Sequence, residues 1–428
     1  MIRTLVTLAL TGAALLAAAG IADAATPAAP YVVVLADGIN SPSTVTNGLA
    51  HRLAFEPQLR YQDALNGFSA VLTPSQVDAL RADPTVAFVE VDSPVEATGT
   101  LPLAVGETAP AGIRRVGGII GGAAHEAAGA VAVLDSGIDL ANSDLDARSG
   151  VNCVKPGTAA QDDNGHGTNV AGIIGARNTG AGVVGVAPAT ALYSVKVLGR
   201  TGSGTLSQIL CGINWLTANA AALGIHVANM SITGAGSDDG NCGNTKGDAW
   251  HKAICAGVAA GVTWVVSAGN SAADFAKSIP AAYPEVLTVT AMSDTDGAPG
   301  ALGPAPSCKK GEADDRYAAY SSYAVTAAAA AHTIAAPGTC VVSTKLGGGT
   351  STYYGTSQAA PHAAAAAALC FGSASGPGPC AGLAPAAAIQ RLRDDATASD
   401  SLATGFAGDP LRPLSGRVYG PLVNAATY

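Results

Sequence analysis

Three short stretches of the chain carry residue types that together could perform nucleophilic catalysis. Asp135 ends an apolar run in AVAVLDSGIDL (130–140), and His166 lies between glycines in DDNGHGTNVAGIIGA (162–176). Ser357 stands ahead of a run of small residues in YYGTSQAAPHAAAAAAL (353–369). A serine hydroxyl is a weak nucleophile; it needs an adjacent imidazole, itself oriented by a buried carboxylate. Taken singly, each motif has an ordinary explanation. Asp135 could be a metal ligand or a strand-end turn, His166 a structural histidine, and Ser357 an N-cap worth about 1 kcal/mol to its helix. The order Asp, His, Ser is one of the three chain orders found for such triads. It excludes the Ser, Asp, His order of α/β-hydrolases, and GTSQA is not the G-x-S-x-G elbow of that fold.

The elements that must position these groups can be read from the same strings. The run 130–135 reads as a parallel strand buried on both faces, which puts Asp135 at the carboxyl edge where α/β sites form. The glycines around His166 let another backbone approach the imidazole, and a helical run follows from Thr168 to Ala176. Ser357 is placed at the N-terminus of a tightly packed, buried alanine helix, where free N–H groups favour a developing anion. Pro361 is expected in that helix's first turn, where its missing N–H costs nothing.

The motifs DSGID, GHGTNVAG and GTSQAAPH, with WVVSAGN in between, closely resemble those of the subtilases, the subtilisin-like serine proteases. VVGVAPATALYSVKVL and VANMSITG extend the likeness over roughly residues 100–428. The resemblance implies an α/β fold: a subtilisin-like doubly wound, mostly parallel sheet flanked by helices. It implies a triad of Asp135, His166 and Ser357, an oxyanion-hole amide at Asn270, and cleavage of protein or peptide substrates through an acyl-enzyme. It further implies that substrate is held as an added strand by Gly202, Ser203 and Gly204 in GSGTL and by Ser231, Ile232, Thr233 and Gly234 in SITG. Such main-chain capture suggests broad specificity. Asp238 and Asp239 could favour basic residues, although a solvated loop is their ordinary reading.

Some positions depart from the family pattern. Gln358, Ala360 and Ala363 replace the usual Met, Ser and Val, Asn169 replaces a second His, and SITG replaces SLGG. None is a catalytic group; Gln358 is expected to reshape the leaving-group side of the cleft. No cofactor is needed for catalysis. Structural calcium stays open: Asp144 matches a calcium-binding carboxylate of many relatives, but Thr179 falls where an asparagine is usual. Asp294 and Asp296 in SDTDGAPG suit either a hard cation or a surface turn.

Upstream, Met1 to Ala24 reads as a secretory signal, with Arg3, an apolar stretch from Leu5 to Ala19, and an A-x-A site at 22–24. Residues 25–100 read as strand, helix, strand, strand, helix, strand: Tyr31–Leu35, Ser43–Phe55, an unplaced strand, Gly67–Leu72, Pro74–Arg81 capped by Thr73, and Val86–Val91. This small α+β ferredoxin-like module resembles the family's inhibitory prosegment, which implies a chaperone and inhibitor of the chain's own peptidase domain, 101–428. Maturation is expected at about 93–107. Export, to the medium or the periplasm, makes disulfides the natural reading of the eight cysteines, none before 150 and none in a CxxC pair. Of 105 pairings, the nearest-neighbour one is expected: Cys153–Cys211, Cys242–Cys255, Cys308–Cys340 and Cys370–Cys380.

Composition excludes other classes. Of the 428 residues only 12% are charged and 5% aromatic, with a net charge of −9. An acidic chain without basic clusters is a poor ligand for nucleic acid. Mean hydropathy is +0.30, yet no apolar run beyond the signal is long enough to span a membrane. Removing signal and prosegment charges leaves 18 basic and 22 acidic residues, or −4. A monomer is the default expectation. A non-catalytic secreted scaffold and a secreted esterase are the competing classes; the intact four-residue set opposes the first and the motif order the second.

Overall fold

The computed structural model describes residues 28–428 except 37, 63–65, 93–99 and 121. The expected signal (1–24) lies outside the described residues, as does most of the early part of the expected maturation interval. The chain divides into two compact units, Met1–Glu96 and Ala97–Tyr428.

The first unit runs β1 (Ala29–Leu35), α1 (Pro42–Leu53), β2 (Pro57–Tyr61), β3 (Gly67–Leu72), α2 (Pro74–Arg81) and β4 (Val86–Val91). Its antiparallel sheet has the order β2-β3-β1-β4, the ferredoxin-like arrangement read from the sequence. Helix α2 starts where expected because Thr73 and Gln76 form a reciprocal capping box. One sheet face, with Val33, Leu35, Phe68, Ala70 and Leu72, closes on Leu49, Val77 and Leu80 of the helices.

The second unit is built on an eight-stranded sheet. Its elements are β5 (Ala130–Asp135), β6 (Asp146–Asn152), α3 (His166–Gly175), β7 (Ala191–Lys196), α4 (Leu206–Leu223), β8 (Ile225–Met230), α5 (Ala249–Ala259) and β9 (Thr263–Ser267). They continue as β10 (Leu287–Ser293), β11 (Arg316–Tyr317), β12 (Thr333–Pro337), α6 (Thr356–Phe371) and α7 (Pro385–Ser399). The order is β11-β10-β9-β8-β5-β7-β6, with β12 also paired to β10. Every pairing is parallel except that of the short β11.

All six residues of β5 are buried because each sheet face carries its own core. Val131 and Val133 pack with α3 and α6 on one side. Ala132 and Leu134 pack with Ile209, Ile213 and Leu216 of α4 on the other. Helix α6 is sealed in the interior, with Ala363–Ala368 no more than 2% exposed. Methyl side chains let neighbouring backbones come close. Among the described residues no helix is long and apolar enough to cross a membrane. The four expected disulfides are formed, and no cysteine is left free.

One local expectation fails. Pro361 lies in the second turn of α6, because the helix already begins at Thr356. The carbonyl that its missing N–H would have served is that of Ser357. That oxygen accepts the Ser231 hydroxyl at 2.9 Å instead, which supplies the hydrogen bond that the interior proline takes away.

Candidate active site

Asp135, His166, Asn270 and Ser357 all sit at the carboxyl edge of the parallel sheet. Asp135 is the last residue of β5, His166 the first of α3, and Ser357 the second of α6; Asn270 follows β9 by three residues. Asp135 is fully buried. Its two oxygens lie 2.8 and 2.9 Å from His166 Nδ1, and Oδ1 also accepts the Ser136 N–H. This close approach requires Gly167: a Cβ there would stand 2.1 Å from the Gly137 carbonyl oxygen and 3.1 Å from Asp135 Cβ.

Behind this pair Asp162 organises the turn leading into α3. Its carboxylate accepts Ser136 Oγ, the N–H groups of Asn164, Gly165 and Thr168, and Thr168 Oγ1. Burial is the largest single influence on the imidazole pKa and lowers it. The charge and hydrogen bond of Asp135, with the charge of Asp162, outweigh it, so the His166 pKa is raised. The protonated ring is therefore favoured relative to free histidine, as a base that must hold a proton during a reaction requires.

Ser357 is half-buried and donates its hydroxyl to the Ser231 carbonyl at 3.3 Å. The structure does not join Ser357 to His166 by a hydrogen bond; such contacts commonly tighten only when substrate arrives. As the second residue of α6, Ser357 has a backbone N–H without an intrahelical acceptor. Asn270 is oriented by a residue that the sequence did not single out. Thr356 gives both its N–H (2.8 Å) and its hydroxyl (3.0 Å) to Asn270 Oδ1, and its Oγ1 accepts the Gly269 N–H. With the carboxamide oxygen fixed, the exposed NH₂ end is left free beside Gly355.

The two expected backbone segments line one cavity of about 310 Å³, in which Gly202, Ser203 and Gly204 face Ile232, Thr233 and Gly234, with Trp250 at one wall. Neither 203–205 nor 231–233 belongs to a ladder, so main-chain groups there are not committed to another strand. Ser231 is instead buried against Ser357. Gln358, expected to reshape the leaving-group side of the cleft, is a buried residue. It is 1% exposed and turns inward to Asn169, with Nε2 to Oδ1 at 3.4 Å, and Asn169 in turn holds Ser351. The two departures at 169 and 358 thus satisfy one another. Asp238 and Asp239 do not enter the cavity either; both face His251.

Asp144 offers a fit for a hard cation. Its Oδ1 is buried without a hydrogen-bond partner. Burial, then the neighbouring Glu107 charge, push its carboxyl up to about 6, despite hydrogen bonds from Val183 and Thr179. Asp294 and Asp296 converge with Asp314, but Asp294 already faces Arg115 Nε at 3.0 Å.

Comparison with known proteins agrees with this geometry. Residues 127–397 match the subtilase family, and residues 31–98 match the peptidase inhibitor I9 family. Alkaline elastase YaB of Bacillus sp. (strain YaB) is 36% identical over 322 residues, 75% of this chain and 71% of that protein. Subtilisin E of Bacillus subtilis (strain 168) is 33% identical over 319 residues, 73% of this chain and 72% of that one. Among solved structures, the S41 psychrophilic protease aligns with a TM-score of 0.58 at 26% identity, covering 75% of this chain and 99% of that one. With the inhibitor-type module ahead of a doubly wound sheet whose edge holds this constellation, the chain belongs to the subtilase family and is a subtilisin-like serine endopeptidase.

Proposed function

We propose that Asp135, His166 and Ser357 are the catalytic triad, with Asn270 and the Ser357 N–H as the oxyanion hole. The observation that carries this reading is the Asp135–His166 pair at 2.8 Å at the same sheet edge as a serine on a helix N-terminus. His166 Nε2 takes the Ser357 hydroxyl proton as Oγ attacks the peptide carbonyl. Asp135 keeps the Nδ1–H tautomer and stabilises the imidazolium. The carbonyl oxygen becomes an anion between the Asn270 amide and the Ser357 N–H. His166 then gives its proton to the departing amine, and water, deprotonated by the same imidazole, releases the acyl group and restores Ser357.

The two cavity-lining segments, ladder-free at 203–205 and 231–233, support capture of an extended peptide as an added strand, hence broad specificity. The I9-type module supports a zymogen in which residues 25–100 assist folding and inhibit the 101–428 domain until it cleaves itself free. The N-terminal pattern and four disulfides support export, and a monomer accounts for the site without a second chain. The buried, unpartnered Asp144 Oδ1 supports a structural calcium there, which would neutralise Asp144 and Glu107 and take no part in the reaction.

The test is casein cleavage by matured protein and by Ser357→Ala. Cleavage by the first alone is expected; equal cleavage by both would end the protease assignment of Ser357.

A further inference from the structure

A separate cluster of charged groups lies in the loop between the substrate-facing segment 231–234 and α5. His251, on the first turn of α5, is 0% exposed and stacks on Tyr283 with ring centroids 4.0 Å apart. Its Nε2 lies 2.9 Å from Glu285 Oε2, so that nitrogen carries a proton for the carboxylate. Its Nδ1 is buried and has no hydrogen-bond partner, yet it points at Asp238 Oδ1 (3.5 Å) and Asp239 Oδ1 (3.4 Å). A neutral imidazole lone pair facing two carboxylates is repulsive. Among the described residues no Lys or Arg forms an ion pair with Asp238, Asp239 or Glu285. Lys246 is near, but it donates to Ser237 Oγ and to the Asp238 main-chain oxygen.

Either a proton or a metal cation could settle this arrangement, and the distances suit the metal. A charged N–H···O⁻ bond would draw the atoms to about 2.7–2.9 Å. Ligands at about 2.0–2.2 Å from a tetrahedral zinc lie about 3.4 Å from one another. We propose that Asp238, Asp239 and His251 Nδ1 bind a divalent transition-metal ion of the zinc type, with water completing its coordination. The three ligand atoms lie within 4.8 Å of one another. The Nε2–Glu285 bond is the support that metal-bound histidines usually have, since it fixes the tautomer and raises ligand basicity. Mixed imidazole and carboxylate donors suit zinc rather than calcium, which takes six to eight oxygens. Asp239 is held rigidly, its Oδ1 accepting the N–H groups of Asn241 and Gly243 and its Oδ2 those of Thr245 and Lys246, and Asp238 Oδ1 accepts the Gly240 N–H, so each ligand oxygen would share its charge between these donors and the ion. Asp238 is 31% exposed and borders a cavity of about 230 Å³, which gives the ion a route in. The bound ion would tie the loop to α5 next to Trp250, and so brace one wall of the substrate cavity.

The test uses the full chain carrying Ser357→Ala to prevent self-digestion, stripped with a chelator and titrated with zinc chloride against a chromophoric competitor. One zinc per chain at micromolar or tighter affinity is expected, with no comparable site for magnesium. His251→Gln should weaken binding at least 100-fold. Because a buried substitution there could disturb folding, Asp238→Asn at the loop position is the second variant, with at least a tenfold loss expected. X-ray absorption should then find one imidazole nitrogen and otherwise oxygen, with no sulfur. Zinc binding unchanged in both variants, no zinc binding, or a His251 Nδ1 that stays protonated in excess zinc would overturn the proposal. The readout is metal binding, so its outcome is independent of the proposed catalytic roles.

Discussion

Thr356→Val isolates the orientation of the proposed oxyanion amide, Asn270. Valine keeps the shape but removes the hydroxyl that accepts the Gly269 N–H and donates to Asn270 Oδ1. The main-chain N–H of residue 356 still holds Asn270 Oδ1, so one of two anchors survives. Losing such an asparagine outright costs about 10²–10³ in kcat, a magnitude measured in subtilisin itself. Loosening it should cost less, about tenfold, or ~1.4 kcal/mol of transition-state stabilisation. KM should stay within about twofold, because the amide meets an anion that exists only in the transition state. Stability should fall by about 1–3 kcal/mol, since the buried Gly269 N–H loses its acceptor. The assay is hydrolysis of a peptide anilide, normalised to sites titrated with a serine-directed phosphonate, with Thr356→Ser as the conservative control that restores kcat. A rise in KM with kcat intact, or a serine variant as impaired as the valine one, would refute the reasoning.

The raised His166 pKa predicts that kcat/KM falls on acidification with a midpoint above 6.5; Asp135→Asn should lower that midpoint, and a wild-type midpoint below 6.5 would contradict the assignment. The same shift means that protonated His166 contributes stability below pH 6.5, which is lost as pH rises through its folded pKa. Asp144, with its carboxyl pushed up to about 6, should make chelator-treated protein progressively less stable from pH 4 through 6, and calcium should abolish that dependence; melting curves identical with and without calcium would remove the site. Residues 25–100 added in trans should inhibit the matured enzyme at micromolar concentration, as measured by initial rates on a peptide substrate.

Much of this was legible in the sequence because the chemistry sits in short contiguous motifs. DSGID, GHGTNVAG and GTSQAAPH each carry their proposed catalytic residue with the glycine or helix start that presents it. The prosegment was legible in part for a similar reason: the Thr73 cap and three β-rich runs were readable locally, but its second strand, Pro57–Tyr61, was not. What stayed hidden depends on residues far apart in sequence. Thr356 stands next to Ser357, yet nothing in GTS says that it grips Asn270, 86 positions away. The helix start at Thr356 rather than nearer Pro361 was missed because the Ser231 hydroxyl stands in for the lost N–H. Gln358 and Asn169 looked like independent departures until packing made them partners. His251 lacked any motif, and its three carboxylates converge only through the folded loop and Glu285.

The central claim is that Ser357 is a nucleophile activated by the Asp135–His166 pair. Its most direct test is the rate at which a fluorophosphonate modifies the matured enzyme, with the adduct located by peptide mass analysis. A single adduct on Ser357, formed at least 10³-fold more slowly in His166→Ala, is the expected result. An adduct on another serine, or a rate indifferent to His166, would contradict the account.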